Sequence, residues 1–136
     1  MNPITVLLAD DHRMVREGMR ALLNMEDDVK VVGEAENGHQ AVAFASKLCP
    51  DVVLMDISMP LLDGLDATRE ILLSTPSTKV IMLSAYDDKA YIKEAMAAGA
   101  AGYLIKEAAA RVLPQAIRAA HEGKPFLTPE RFQHLE

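Results

Sequence analysis

The stretch Asp51-Val-Val-Leu-Met-Asp-Ile-Ser-Met-Pro60 decides the fold of this chain. It is a short apolar run that ends in a carboxylate, Asp56, and such a group at the end of a buried strand costs free energy unless its charge is used. The same arrangement occurs near the N-terminus, where the run Ile4–Ala9 leads into Asp10 and Asp11. In an open parallel sheet, functional groups gather beyond the carboxyl ends of the strands. The aspartates are therefore candidates for one cation-binding pocket.

Short apolar and β-branched runs recur along the whole chain, separated by stretches long enough for helices. The runs are Ile4–Ala9, Val29–Gly33, Val52–Met55, Lys79–Leu83 and Gly102–Ile105. This alternation predicts βαβ units and therefore an α/β protein with a parallel sheet. Apolar residues at helical spacing in each connection predict amphipathic helices that pack on that sheet.

Two of the predicted helices carry specific expectations. In the first, Val15, Met19 and Leu22 recur at helical spacing, and arginines such as Arg16 are expected on other faces. The last helix contains Pro114 within its apolar stripe. A start near Ala110 would place this proline at the limit of the first turn, where it removes at most about one backbone hydrogen bond.

Composition narrows the class of protein. The 136 residues fit one domain that is long enough to bury a core. No apolar stretch approaches the roughly 18 residues of a membrane span, so no membrane contact is expected. The 14 basic and 20 acidic residues give a net charge of −6, which disfavours direct binding of nucleic acid. With one cysteine, Cys49, and no recognisable secretory signal, we expect a cytoplasmic location.

The aspartates are suited to bind a metal ion and to react with a phosphoryl group. Carboxylates placed together repel unless a cation compensates them, and a site with few carboxylates and room for water suits Mg²⁺. An aspartate beside such an ion can attack a phosphoryl group and form an acyl phosphate. The other strand ends supply matching groups, because Ser84 offers a hydroxyl and Lys106 offers an ammonium that pairs with phosphate.

Taken in the order in which they occur along the chain, these motifs resemble those of the receiver domain of a two-component response regulator. The resemblance spans Thr5 to Gly123. It rests on Asp10-Asp11, Asp56-Ile-Ser-Met-Pro60 with Asp63-Gly64, Leu83-Ser84-Ala85, and Gly99 through Lys106. The details resemble the NarL/FixJ type, whose receivers usually precede a LuxR-like helix-turn-helix. One departure is Glu107, which stands where many receivers have proline.

The resemblance implies a role for each acidic residue. Asp56 would accept a phosphoryl group from a sensor histidine kinase. Asp11, Asp56 and the backbone carbonyl of Ser58 would ligate Mg²⁺, and Asp10 would hold the ion through water.

The resemblance also implies a switch. Ser84 and Lys106 would bind the phosphoryl oxygens, and Tyr103 would change rotamer with the state of Ser84. The domain would catalyse its own phosphotransfer and slow dephosphorylation without being an enzyme in the usual sense. Phosphorylation could produce a homodimer.

The resemblance further implies the fold and the domain organisation. The fold would be flavodoxin-like, a doubly wound parallel sheet of five strands in the order 2-1-3-4-5 with helices on both faces. Residues 1–123 would form the receiver. Residues 124–136 would be a linker toward a helix-turn-helix output domain that is missing from this chain, and DNA would be bound only through that domain.

Other interpretations remain open at this point. Asp10 and Asp11 could cap the first helix, and Tyr103 could simply fill the core. The domain could be a docking module that works without phosphorylation. A less favoured alternative is an aspartyl-phosphate hydrolase, although Ser58 stands where such enzymes have a second aspartate. A flavin or dinucleotide binder is disfavoured because the segment Ala9–His12 has no glycine.

Overall fold

The computed structural model describes residues 2–85 and 89–127. The strands in this part are β1 (Ile4–Ala9), β2 (Val29–Ala35), β3 (Val52–Asp56), β4 (Lys79–Ser84), β5 (Gly102–Ile105) and β6 (Phe126–Leu127). The helices are α1 (Arg13–Leu23), α2 (Gly38–Leu48), α3 (Gly64–Ser74), α4 (Lys89–Ala97) and α5 (Lys106–His121). None of these helices, all within the described residues, is long and apolar enough to cross a membrane.

The strands form one parallel sheet in the order β2-β1-β3-β4-β5-β6. The predicted flavodoxin-like fold and its strand order 2-1-3-4-5 are confirmed. The additional strand β6 pairs with β5, where Gly102 lies opposite Phe126 and Tyr103 lies opposite Leu127. Phe126 and Leu127, two residues of the predicted linker 124–136, thus belong to the sheet, and the Leu127 side chain is buried. Residues 128–136 lie outside the described part of the chain.

Both faces of the sheet are covered, as expected for a parallel sheet. One face presents Val6, Leu8, Val52, Leu54, Ile81, Leu83 and Leu104, which pack with α1 and α5. The opposite face presents Leu7, Ala9, Val53, Met55, Val80, Met82 and Tyr103, which pack with α2, α3 and α4. Successive residues of a strand point to opposite faces, so the continuous apolar runs in the sequence follow from burial on both sides.

Helix α1 is rotated relative to the sequence prediction. Arg16 is 6% exposed, whereas Val15 is 38% exposed. The buried residues of this helix are Arg16, Met19 and Leu23, which share one face at helical spacing. The prediction that Arg16 lies on a different face from Met19 was therefore wrong. Its burial is possible because acidic side chains at the end of β2 compensate its charge.

Helix α5 begins earlier than the expected start near Ala110. It starts at Lys106, directly after β5, and its first turn contains Glu107, an acidic residue that suits the positive end of the helix dipole. Pro114 consequently lies in the helix interior and has no N–H to donate to the carbonyl of Ala110. The buried face of the helix, which includes Leu113 and Ile117, stabilises it despite the missing hydrogen bond.

Candidate functional site

The predicted site residues meet at the carboxyl edge of the sheet. Asp56 is the last residue of β3, and Asp10 directly follows β1, the strand beside it. Ser84 ends β4 opposite Ile105, so Lys106, the next residue along the chain, begins α5 at the same edge. The topology of the sheet, rather than sequence proximity, brings these side chains together.

A buried ion-pair cluster occupies this edge. The Nζ atom of Lys106 lies 3.1 Å from Oδ2 of Asp10 and 3.1 Å from Oδ2 of Asp56. The side chains of these aspartates are 0% and 3% exposed. Despite the short distances, neither Oδ2 atom accepts a hydrogen bond of good geometry from the described residues. One ammonium faces two carboxylates, so the cluster keeps an excess of negative charge.

Backbone amides orient the two buried carboxylates. The amide of His12 donates to Oδ1 of Asp10 over 2.8 Å, and the amide of Ser58 donates to Oδ1 of Asp56 over 3.1 Å. Because each Oδ1 is held by a nearby amide, each Oδ2 is directed toward Lys106. The amide bonds thus fix which oxygen of each aspartate faces the shared space.

The surroundings shift the pKa values of two groups in the cluster. Burial raises the pKa of Asp56 above its ordinary value, and the neighbouring charge of Asp10 raises it further. Burial by itself lowers the pKa of Lys106, but its contacts with Asp10 and Asp56 outweigh this effect, so the pKa of the ammonium is raised. Lys106 therefore stays protonated, whereas the charged form of Asp56 is destabilised by the folded protein.

Asp11 and His12 complete a set of possible metal ligands. One ligand atom from each of Asp10, Asp11, His12 and Asp56 lies within 4.8 Å of the others. The carboxylate oxygens of this set, which include the Oδ2 atoms of Asp10 and Asp56 that lack a hydrogen bond among the described residues, fit a hard divalent cation that would balance the excess negative charge. The Nδ1 atom of His12 lies 3.1 Å from Asp10 Oδ1 and from Asp11 Oδ1.

The alternative of helix capping by the acidic pair does not match the geometry. The N-cap residue of α1 is His12, and its side chain makes no capping hydrogen bond. The carboxylate of Asp10 instead accepts from the amide of His12 and faces Lys106. The site interpretation therefore explains this residue better than capping does.

Ser84, Tyr103 and Ser58 occupy different environments. Ser84 and Tyr103 are both 0% exposed, and Tyr103 lies on β5 within the core cluster beneath α3 and α4. Ser58 is exposed on the loop after β3, and its amide contacts Asp56. The role of its carbonyl as a metal ligand stays a prediction, as do the roles of Ser84 and Tyr103 in a switch.

Arg16 also contacts the backbone of this site, which was not expected from the sequence. Its Nη1 atom donates to the backbone carbonyl of Asp10 over 2.6 Å. The sequence spacing could have indicated that Arg16 is buried, though not which group it contacts, because Arg16 precedes Met19 by three positions and Leu23 by seven and therefore shares their helical face. The general preference of arginine for the surface outweighed that spacing.

Most of this chain matches one known protein family. Residues 6–118 match the family described as the response regulator receiver domain. The chain belongs to this receiver family. It is 40% identical to the transcriptional regulatory protein DegU of Brevibacillus brevis over 98% of this chain and 57% of that protein. It is 44% identical to the response regulator UvrY of Escherichia coli K12 over 97% of this chain and 61% of that protein.

A solved structure supports the same assignment. The two-component response regulator of the LuxR family from Aurantimonas has a TM-score of 0.91 and 30% identity, and the match covers 99% of this receiver and 100% of that chain. This receiver is thus of the type found in transcriptional regulators of the NarL/LuxR class. The curated relatives are named as regulators and not as hydrolases. The chain spans about three fifths of their length, 57% and 61%.

Proposed function

We propose that this receiver accepts a phosphoryl group on Asp56 from a phosphohistidine of a sensor kinase. Oδ2 of Asp56 would attack the phosphorus, so that a P–O bond forms while the P–N bond to the histidine breaks and the histidine retains the electron pair. The observation that carries this proposal is the Lys106 ammonium, 3.1 Å from Asp56 Oδ2 at the buried carboxyl edge. A fixed cation beside the nucleophile pairs with the incoming phosphoryl oxygens.

The metal site is the second part of the proposal. Asp10, Asp11, Asp56 and the backbone carbonyl of Ser58 would hold Mg²⁺. When bound, the ion supplies positive charge to the phosphoryl oxygens in the transition state. The excess of carboxylate over ammonium charge among the described residues supports this assignment.

Phosphorylation would then act as a switch. The phosphoryl group adds a charge of about −1.5 to −2 beside Ser84 and Lys106, and both would turn toward it. Movement of Ser84 would open space for Tyr103, whose ring is buried among core residues. The altered surface near β5 would create or remove a docking face for a second subunit or for an output domain that binds DNA.

The domain would also limit the lifetime of its own signal. Water would hydrolyse the acyl phosphate slowly at the same site, returning the Asp56 carboxylate and inorganic phosphate. The reaction would remove the phosphoryl group from Asp56 and would turn over no separate small-molecule substrate. This is consistent with relatives that are named as regulators.

Intact-mass measurement after incubation with acetyl phosphate and MgCl₂ tests this proposal. We expect one labile phosphoryl adduct on the wild type and none on Asp56→Ala or in the absence of metal. Asp63→Asn is the matched control, because Asp63 is an exposed carboxylate on the same loop that caps α3. This variant should still form the adduct.

The outcomes separate the proposal from its alternatives. An adduct that persists in Asp56→Ala would refute Asp56 as the acceptor. A wild type that binds MgCl₂ and takes up no phosphoryl group, either from acetyl phosphate or from a phosphorylated kinase, would favour a docking module. Repeated hydrolysis of a phosphorylated small molecule at a constant rate would favour the hydrolase.

A further inference from the structure

We infer that Arg16 is a positioning residue that fixes the Asp10–Asp11 loop for metal binding by holding it to the end of β2. This inference rests on the proposed function, because it concerns the affinity of the same site for Mg²⁺. Arg16 does not itself contact the carboxylate oxygens that face Lys106. It would act through the backbone of Asp10.

The guanidinium of Arg16 joins the β1–α1 loop to the end of strand β2. Nη1 donates to the carbonyl of Asp10 over 2.6 Å, and Nε donates to Oε1 of Glu34 over 3.1 Å. A further contact of 3.6 Å joins Nη2 to Glu36. The planar guanidinium presents several donors in a fixed geometry, so one side chain can bind both segments at once. A lysine at this position could not reproduce both contacts.

The backbone of Asp10 is consequently held on both sides of its Cα atom. Its amide donates to the carbonyl of Ala35 over 3.0 Å, and its own carbonyl accepts from Arg16. Asp10 is 0% exposed, so water cannot readily replace a lost partner of that carbonyl. Loss of the arginine would release the loop that carries both Asp10 and Asp11.

An acidic side chain neutralises the charge of Arg16. A control variant that removes the same charge can therefore separate the effect of Arg16 on loop geometry from its effect on the electrostatic potential. Glu34 pairs with Arg16 through Oε1 and with Arg20 through Oε2 over 2.8 Å. Arg20 lies on the same helix and shares the same acidic partner, but among the described residues it pairs with Glu34 and not with the Asp10 carbonyl. Arg20→Gln thus removes the same charge as Arg16→Gln and leaves the Asp10 carbonyl paired.

The test is isothermal titration of the full chain with MgCl₂, performed well below the melting temperature of each variant. We expect Arg16→Gln to weaken Mg²⁺ binding by about tenfold or more, the usual cost of removing a group that orients a metal ligand. Arg20→Gln should change the affinity by less than about twofold. Arg16→Lys should fall between these two values, because it keeps the charge but can form only one of the two contacts.

Each outcome has a distinct meaning. A wild type that does not bind Mg²⁺ would overturn the proposed function. A wild type that binds Mg²⁺, with equal affinity in Arg16→Gln and Arg20→Gln, would overturn only the positioning role. If Arg16→Gln fails to fold, Arg16→Lys decides the question, since a wild-type affinity in that variant would also overturn the inference.

A separate measurement distinguishes positioning from general stabilisation. Arg118→Gln removes contacts with Asp28 and Glu26, which precede β2 at the opposite end of the sheet. This variant should lose thermal stability and retain the wild-type affinity for Mg²⁺. A parallel loss of affinity in Arg118→Gln would show that Mg²⁺ binding merely follows global stability, and would overturn the inference.

Discussion

Burial of the Asp56 carboxylate sets the proposed phosphoacceptor chemistry against the stability of the folded protein. Its charge lies beside that of Asp10, and Lys106 alone balances the two among the described residues. A buried charge with incomplete compensation destabilises the folded state. Sites of this kind commonly gain stability when the reactive group is replaced. The same excess charge that weakens the metal-free protein is what would attract a divalent cation.

Asp56→Asn should therefore raise the melting temperature of the metal-free protein. The pKa of Asp56 is raised above 3.8 in the folded state, so the carboxyl favours folding when protonated and loses that contribution as pH rises through its folded pKa. At neutral pH we expect a gain on the order of 1 kcal/mol. The gain should shrink as the pH approaches 3.8. Circular dichroism melts across this pH range, with EDTA present, measure the effect.

The control for this prediction is Asp63→Asn, which neutralises an exposed carboxylate on the same loop. It should not reproduce the gain. MgCl₂ should then raise the melting temperature of the wild type more than that of Asp56→Asn, since a ligand stabilises in proportion to its binding. A lower melting temperature for metal-free Asp56→Asn at neutral pH would contradict the prediction.

At the scale of elements, a close approach of two backbones fixes the position of Asp56. A Cβ atom added to Gly64, the first residue of α3, would collide with the carbonyl oxygen of Asp56 and lie 2.8 Å from Cα of Ile57. The amide of Gly64 also donates to the carbonyl of Ile57 over 3.0 Å. The start of α3 is thus packed directly against the backbone that carries the phosphoacceptor candidate.

Gly64→Ala should destabilise the protein by about 1–3 kcal/mol, the usual range for an overpacked site. It should also slow adduct formation from acetyl phosphate, because the backbone of Asp56 must move. Gly18→Ala in α1 is the matched control, since among the described residues no atom outside the neighbouring helix backbone and adjacent residues lies within 4 Å of its added Cβ. That variant should be neutral or more stable by up to about 1 kcal/mol. Urea denaturation of both variants measures the difference, and equal stabilities would contradict this account.

Strand β6, at one edge of the sheet, gives a prediction about stability. Leu127 is 1% exposed and belongs to the core cluster beneath α3 and α4. Leu127→Ala should cost about 2–4 kcal/mol of unfolding free energy. Leu73→Ala, at a position that is 85% exposed, should remain within about 0.5 kcal/mol of the wild type. A change of that small size in Leu127→Ala would show that residues 126–127 behave as a linker in solution.

Some of these elements and site residues could be predicted from the sequence, and others could not. The positions of Asp10, Asp56 and Ser84 at the carboxyl edge could be predicted, because polar residues after apolar runs mark the edge of a parallel sheet. Strand β6 could not be predicted, since a strand of two residues is too short to show a periodicity. The role of Arg16 depends on a tertiary contact with the Asp10 carbonyl, and no local pattern encodes that contact.

At the scale of the whole molecule, Arg118 joins distant parts of the chain. It lies near the end of α5 and pairs with Asp28, which is 90 positions earlier and precedes β2. The hydrogen bond from Arg118 lowers the pKa of Asp28, with a further contribution from its charge. The contact ties the last helix to the loop that follows α1.

This contact predicts a dependence of stability on acid. Because the pKa of Asp28 is lowered in the folded state, its contribution is present above the ordinary value of 3.8 and is lost as pH falls through the folded pKa. The wild type should be more stable than Arg118→Gln at neutral pH, and the difference should diminish in acid. Urea denaturation at several pH values measures this. A difference that grows in acid would contradict the assignment.

The covering of the sheet by α1 and α5 has a consequence for how the chain folds during synthesis. Until residues 106–121 leave the ribosome, α1 alone covers a sheet face that presents Leu54, Ile81 and Leu83. Nascent chains with open apolar faces are prone to aggregate and are typical clients of chaperones. We therefore expect α5, which begins at the same lysine that contacts Asp10 and Asp56, to cover this sheet face and to complete the ion-pair cluster late in synthesis.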